Sequence, residues 1–381
     1  MIYLDYNATT PLDEDVKEVM KKEMENNFGN PSSTHQLGIK AKNTLESARA
    51  KIAEFLNASP EEIIFTSGGS ESNNMAIKGT AYSYQNKGKH IITTEIEHPA
   101  VIEPCEFLAD NSYEITYLPV DKYGVVKIDS LKKAIRDDTI LISVMHANNE
   151  VGSIQPIEEI AKIAAKKDLL FHTDAAQSVG KIRVDVKKLG IDMLSLAGHK
   201  LYAPKGIGVL YLKEGLEIEA LIHGAAHENG RRAGTENLIF AAGLAEACEK
   251  ASELFKNKNR DDHLKSPQEL KNLRDYFEKE LKDFFGEKIK INGHPQNRLV
   301  NTSNLSFLDY NSAHILNHLE GIAVSAGSAC HSDRVEISSV LKAMGLNEKE
   351  GAGAIRFSLG KYTDKTEIET VLNRLKALTQ N

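Results

Sequence analysis

Leu169-Leu-Phe-His-Thr-Asp-Ala-Ala-Gln-Ser178 decides the fold class. Leu169 to Thr173 reads as a buried strand that stops abruptly at Asp174, where small residues begin. The stretch before it, Ile157 to Lys167, has the period of an amphipathic helix. The same alternation recurs along the chain. Strands are expected at Glu62-Ile-Ile-Phe-Thr66, His90-Ile-Ile-Thr-Thr94, Ile115-Thr-Tyr-Leu-Pro-Val120, Ile140-Leu-Ile-Ser-Val-Met145, Met193-Leu-Ser-Leu196 and Ile207-Gly-Val-Leu-Tyr-Leu212. Strands separated by helical stretches imply an α/β fold, with a mainly parallel sheet covered by helices. Ligand-binding groups in such folds gather at the C-terminal ends of the strands.

The chain has 381 residues, of which 41% are hydrophobic and 27% charged. That is enough apolar material for a large core, and it excludes a mainly disordered chain. A net charge of −7 gives no reason to expect a nucleic-acid or anionic-membrane surface. No apolar run is long enough to span a bilayer, and the N-terminus lacks the pattern of a signal peptide. The 3 cysteines, Cys105, Cys248 and Cys330, are too few and too spread for a disulfide framework. A reducing cytoplasm is the expected compartment. A helix from about Leu238 to Phe255 precedes the polar interval Lys256 to His263. The expected division is a large domain over 13–257 and a smaller α+β domain combining 1–12 with 258–381.

Chemistry-bearing motifs follow the strands. Thr66-Ser-Gly-Gly-Ser-Glu-Ser-Asn-Asn74 is a Gly/Ser turn opening a helix from about Ser72. It is either a plain strand–helix turn or a place where backbone N–H groups receive a phosphate. Asp174, at a strand end, either serves a cofactor or caps a helix, and Gln177 suits the capping reading equally well. Lys200, in Ser195-Leu-Ala-Gly-His-Lys-Leu-Tyr-Ala-Pro-Lys-Gly-Ile-Gly208, follows a strand and a tight turn rather than lying on a helix face. A lysine at a sheet's C-terminal edge, downstream of such an Asp, fits covalent attachment of pyridoxal phosphate (PLP) with an Asp partner for its ring nitrogen. A surface lysine is the alternative. His223/His227 and His314/His318 have i,i+4 spacing, but neither comes with an HExxH pattern or a cysteine pair, so no metal site is expected.

Further segments occur in a family's order: Tyr3-Leu-Asp-Tyr-Asn-Ala-Thr-Thr10, Glu95-Ile-Glu-His-Pro-Ala-Val101, His146-Ala-Asn-Asn-Glu-Val-Gly152, His172-Thr-Asp-Ala-Ala-Gln-Ser-Val-Gly180, Gly198-His-Lys200, Gly230-Arg-Arg-Ala-Gly-Thr-Glu-Asn237, Ser325-Ala-Gly-Ser-Ala-Cys330 and Ile355-Arg-Phe-Ser-Leu-Gly360. With the Thr66 to Asn74 turn, they make the chain resemble the class I, NifS/IscS-like cysteine desulfurases. These are PLP enzymes of aminotransferase fold type I, and the resemblance runs almost from end to end. It implies a seven-stranded, mainly parallel sheet in the large domain and a homodimer.

The resemblance also implies roles. Lys200 would hold PLP covalently, and Gly69, Ser70 and His199 would contact its phosphate, with Thr235 reaching over from the second subunit. His98 would stack on the ring and help move protons. Asp174 would pair with the ring nitrogen, Gln177 would bond the phenolic oxygen, and Asn149 would sit beside ring and substrate. Asn7 and Arg356 would contact the substrate, Arg356 through its carboxylate. Cys330 would accept the sulfur of L-cysteine as a thiolate, leaving a persulfide and releasing alanine. Its run of Ala, Gly and Ser reads as a mobile loop, whereas Cys105 and Cys248 read as buried helix positions with inert thiols. A protein that accepts the sulfur, either an iron–sulfur scaffold or a thiolation carrier, is the implied partner.

The chain departs from the family pattern at several points. Ala197 stands where a Ser is common, so one phosphate hydroxyl is expected to be missing. Ile222-His-Gly-Ala-Ala-His-Glu-Asn-Gly230 replaces a glycine-rich stretch, so Ala225 and Ala226 are expected to narrow its backbone and Asn229 removes a positive charge. His331 follows the reactive cysteine, where as a cation it would favour the thiolate; otherwise it is a solvated histidine. With a helix expected over Glu367 to Leu378 close to the last residue, the C-terminal tail by which some relatives hold a scaffold protein is not expected here. Selenocysteine lyase and other PLP-dependent C–S lyases are the alternatives within catalysis. A non-catalytic sulfur-transfer adaptor would have no need of Lys200 and Cys330.

Overall fold

Seven strands form the central sheet, all almost wholly buried except the partly exposed edge strand β3: Ile63–Thr66 (β1), His90–Thr94 (β2), Glu114–Leu118 (β3), Thr139–Ser143 (β4), Leu170–Asp174 (β5), Met193–Ala197 (β6) and Gly208–Leu212 (β7). The computed structural model describes residues 1–256, 264–331 and 334–380, with the side chains of 328–336 and 380 left out. The strand order is β1-β7-β6-β5-β4-β2-β3. Neighbours are parallel except where β7 runs antiparallel between β1 and β6. Both faces are covered, which is why the strands read as continuous apolar runs. Within each run, alternate residues serve opposite faces. Ile63, Phe65, Ile92, Ile142, Leu194 and Val209 join one apolar cluster, while Ile64, Ile91, Leu141, Met193 and Leu210 join another. The helices Gln36–Leu56, Ile157–Lys166 and Leu238–Lys256 pack on the first face. Pro99–Ala109 and the helical run from Gly69 to Tyr84 pack on the second.

Beyond the Leu238–Lys256 helix lies an antiparallel four-stranded sheet in the order Ser325–Ala326, Ala354–Ser358, Thr302–Phe307, Ile289–Asn292. Helices Pro267–Phe285 and Lys365–Lys376 pack on it, each started by a capping box, at Ser266/Glu269 and Asp364/Glu367. Their core holds Phe277, Phe285, Phe307 and Phe357, and it also takes in Leu4. The N-terminal Ile2–Tyr3 pairs in parallel with Ile322–Ala323. We propose the division 13–257 against 1–12 with 258–381, supported by these separate cores. Residues 257–263, in the polar interval between them, lie outside the described residues.

Local readings change in three places. The helix expected from about Ser72 begins at Gly69, after Gly68, and its path includes a π-turn over Met75–Gly79. Glu71 and Ser72 stabilise that start, Glu71 by accepting from the Ser67 N–H at 2.7 Å and Ser72 by bonding the Gly68 carbonyl. The Cys330 run, expected as a loop, is one strand of a hairpin. Ser328–His331 pairs with Arg334–Ile337, and Cys330 stands opposite Val335. The alternating Arg-Val-Glu-Ile of the second strand supplies the β-forming partner that a reading of the Ala/Gly/Ser run alone does not weigh. In the 222–230 segment, Ala225 and Ala226 are not left-handed. The left-handed residues are Glu228, Asn229 and Gly230, at φ 46°, 57° and 81°.

The physical reason for that turn is a buried ion pair. It brings the Glu228 carboxylate under the sheet, where it accepts from Arg49 at 2.7 and 3.0 Å and from the Phe65 backbone at 3.0 Å. Both side chains are nearly fully buried. Removing one charge strands the other in a low dielectric. Glu228→Ala is therefore expected to destabilise the protein by roughly 3–5 kcal/mol in denaturant unfolding. A loss below about 1 kcal/mol, the scale of an exposed pair, would contradict this account.

Candidate active site

The parallel strands deliver their C-terminal ends to one edge of the sheet. Asp174 is the last residue of β5, Lys200 ends the short turn Gly198–Lys200 after β6, and His98 follows β2. Gly69 opens the helix after β1. These four, with Ser70, Gln177 and His199, line a single cleft of about 430 Å³. Asn149 and Arg356 line it too, Arg356 from the smaller sheet.

Asp174 is buried and its carboxylate is held at both ends. Oδ2 accepts from Asn73 Nδ2 at 2.7 Å and Oδ1 from the Ala176 N–H at 2.9 Å. No helix starts there, so the capping reading of Asp174 and Gln177 falls away. Lys200 Nζ donates to the carbonyls of Asn7 and Ala8. Burial, then the Arg356 cation, depress its pKa to about 8, although Asp174 and Asp5 oppose the shift. His98 caps the Pro99–Ala109 helix, its Nδ1 accepting from the Ala100 N–H at 3.1 Å. That bond assigns the ring proton to Nε2. Burial lowers its pKa; Asp174 opposes the shift and Lys200 reinforces it. Burial, then Lys200, take His199 down to about 4, and its Nδ1 lies 3.2 Å from Thr9 Oγ1.

Arg356 is oriented before any ligand arrives. Nη2 donates to Asp5 Oδ1 and Ser325 Oγ, each at 2.8 Å, and Nη1 to the Asn149 carbonyl at 3.0 Å. Its Nε is buried without a partner. Gln177 donates from Nε2 to the Asn7 carbonyl at 2.9 Å, and its Oε1 accepts from Lys181 at 2.6 Å. Asn7 spends its polar groups on protein: its side chain bonds Asn149, Thr302, Asn301 and Lys181. Thr235 is exposed and is not among the lining residues.

The Cys330 backbone sits in the hairpin, and its side chain is outside what is described. A second cavity, of about 440 Å³, shares Asn149 and Arg356 with the cleft and is lined by Gly327, Ile337 and Ser338, at the roots of that hairpin. Cys105 and Cys248 are buried as expected; burial pushes the Cys105 thiol up to about 12 and also raises that of Cys248. His314 and His318 lie on one helix with ring centroids 5.2 Å apart. Among the described residues, no three His, Cys, Asp or Glu side chains gather as a metal site. Sequence reasoning missed Asn73, Asp5 and Lys181. Asn73 and Asp5 lie within quoted motifs, but their partners, Asp174 and Arg356, are remote in sequence, so no local signal marks them.

The cleft suits a flat anionic cofactor. A Cβ at Gly69 would stand 3.2 Å from the Ala197 methyl, so glycine keeps that backbone open. Opposite charges, Lys200 and Asp174, line the same space.

Residues 2–371 match the family model described as aminotransferase class-V. The chain is 50% identical over 382 aligned positions to a protein of Dictyoglomus turgidum named cysteine desulfurase IscS, covering 100% of this chain and 94% of the relative. The solved structure of a NifS-like protein superposes with a TM-score of 0.89 at 37% identity, covering 100% of this chain and 99% of that one. A structure described as SspA in complex with cysteine superposes with a TM-score of 0.81 at 37% identity, covering 96% of this chain and 100% of that one.

The depressed basicity of Lys200 can be measured in cofactor-free protein. Acylation needs the neutral amine, and a lysine of pKa about 8 is roughly a tenth neutral at pH 7. Labelling of the Lys200 peptide, followed by mass spectrometry, should rise through a midpoint near pH 8. Arg356→Met removes a repelling cation and should move that midpoint upward. A midpoint above pH 10 in the unaltered protein would contradict the electrostatics.

Proposed function

We infer the roles of these residues from one premise: the chain belongs to the aminotransferase class-V family and, within it, to the cysteine desulfurases of the IscS/NifS type. That family works with PLP. We read the chain as an enzyme that takes sulfur from L-cysteine, releases L-alanine and keeps the sulfur as a persulfide. The observation that carries the reading is that Lys200, His98 and the Asp174/Gln177 pair, from three separate parts of the chain, line one cleft at the sheet edge.

PLP, when bound, supplies an electron sink that makes the Cα–H bond of an amino acid acidic. Lys200 is the residue proposed to hold it covalently and, once released by the incoming amino group, to take the Cα proton; a depressed pKa suits a base working near neutrality. Asp174 would keep the ring nitrogen protonated, and Asn73 would hold that carboxylate in place. Gly69, Ser70 and His199 would receive the phosphate, with Thr235 contributed to the second subunit of a homodimer. Gln177 would bond the phenolic oxygen, His98 would stack and shuttle protons, and Asn149 would flank the substrate. Arg356, with Nε uncommitted, would bind the substrate carboxylate. Asn7 would act by holding these groups rather than by touching substrate.

The Cys330 thiolate would attack the substrate sulfur. An S–S bond forms, the substrate Cβ–S bond breaks, and Cβ takes up a proton to give alanine. The sum is cysteine plus thiol giving alanine plus persulfide. The second cavity, between Arg356 and the hairpin roots, supports an approach by Cys330 from that side. The persulfide would then pass to an acceptor protein, an iron–sulfur scaffold or a thiolation carrier, in the cytoplasm. No helix among the described residues is long and apolar enough to cross a membrane.

Lys200→Ala should lose the visible absorption of bound PLP and all turnover. Cys330→Ser should keep that absorption but stop alanine and sulfide release, whereas Cys105→Ser should stay active. After a single turnover, mass spectrometry should find one added sulfur on the Cys330 peptide. Undiminished desulfuration by Cys330→Ser would instead identify a lyase that expels sulfur directly.

A further inference from the structure

Lys181 has no part in the roles above, yet its half-buried side chain ends beside the cleft, on two residues that line it. Its two hydrogen bonds go to side-chain amide oxygens: Asn7 Oδ1 at 3.0 Å and Gln177 Oε1 at 2.6 Å. Burial and the cations of Lys200 and Arg356 press its pKa well below that of an ordinary lysine. Even as a neutral amine it keeps two N–H groups, one for each amide oxygen.

Those bonds settle a question of orientation. A glutamine side chain can sit either way round, and only its partners decide which end is oxygen. With Oε1 on Lys181, the Gln177 amide nitrogen faces the other way and gives one hydrogen to the Asn7 carbonyl at 2.9 Å. Its second N–H remains for the cleft, which Gln177 lines. Turned over, the amide would set N–H groups against the Lys181 donor and its oxygen against the Asn7 carbonyl. Lys181 also bonds Asn7, whose carbonyl accepts from Lys200. Lys181, Gln177 and Asn7 thus close a ring, each bonded to the other two.

We propose that Lys181 is a positioning residue: together with the Asn7 carbonyl it fixes which face of the Gln177 amide meets the cleft, so that a donor, not an acceptor, is presented to an anionic oxygen of the ligand. The inference rests on the reading that the cleft holds PLP and that Gln177 meets its phenolic oxygen. A donor at that oxygen favours its deprotonated form and so lowers the pH at which the visible absorbance of the Lys200-bound cofactor titrates.

The test is that titration in the holoenzyme, with cofactor dissociation measured in parallel. Lys181→Met keeps an apolar stem and removes the donor. It should raise the titration midpoint by about one pH unit, a tenfold change in proton affinity, and weaken cofactor binding. Lys181→Arg should restore both. Because loss of any cation would also raise the midpoint, the deciding comparison is made in a Gln177→Leu background. There, Lys181→Met should add no further shift. A shift that persists with Gln177→Leu would overturn the proposal in favour of through-space charge, and so would an unmoved midpoint in folded Lys181→Met. Should Lys181→Met fail to fold, Lys181→Gln carries the same test, since an amide can donate or accept and no longer dictates how Gln177 faces. Absence of the visible band in the unaltered protein would instead overturn the functional reading, and this inference with it.

Discussion

The site depends on one buried residue near the N-terminus. Asn7 donates its backbone N–H to Ser358 Oγ at 2.9 Å, while its carbonyl accepts from Lys200 and from Gln177. Its side-chain nitrogen bonds the Asn149 carbonyl and Thr302 Oγ1, and its side-chain oxygen takes Asn301 and Lys181. Through these bonds the turns after β4, β5 and β6 are fastened to strands of the smaller sheet. The N-terminal segment is anchored by its pairing with Ile322–Ala323 and by Leu4 in the smaller core. Burial at 1% exposure raises the cost of every bond left unmade.

Electrostatics follows from that geometry. Lys200, Lys181 and Arg356 converge where Asp174 and Asp5 are the opposing carboxylates, and each of those carboxylates is already tied to protein groups. Burial first, and then the Arg356 cation, depress the basicity of Lys200 against the pull of Asp174 and Asp5. The cysteines divide along the same physical line. Cys105 and Cys248 sit among apolar side chains that penalise a thiolate, while Cys330 belongs to a hairpin rooted beside a cavity that Arg356 shares.

Much of this was legible in the chain. The apolar runs at Ile63, His90, Thr139 and Met193 announce strands because a sheet covered on both faces needs apolar residues in succession. Asp174 and Lys200 stand out because each follows such a run at the edge where ligands gather. The start of the helix at Gly69 and the strand at Cys330 were less legible. In both, small flexible residues take their conformation from bonds to neighbours rather than from their own preference. The left-handed turn at Glu228 is likewise imposed by Arg49, which lies far away in sequence.

The sequence by itself determined the alternation of strands and helices, the two candidate anchors at strand ends, and the burial of Cys105 and Cys248 on helices. These depend on hydrophobic period and near neighbours, which a linear chain displays directly. Only the tertiary structure decided that Asn73 holds Asp174, that Asp5 and Ser325 hold Arg356, and that Lys181 bonds both Gln177 and Asn7. The direction of a hydrogen bond, and the loss of basicity caused by burial and a neighbouring cation, depend on distances of a few ångströms, in most of these cases between residues remote in the chain. Such distances exist only once the two sheets have packed together.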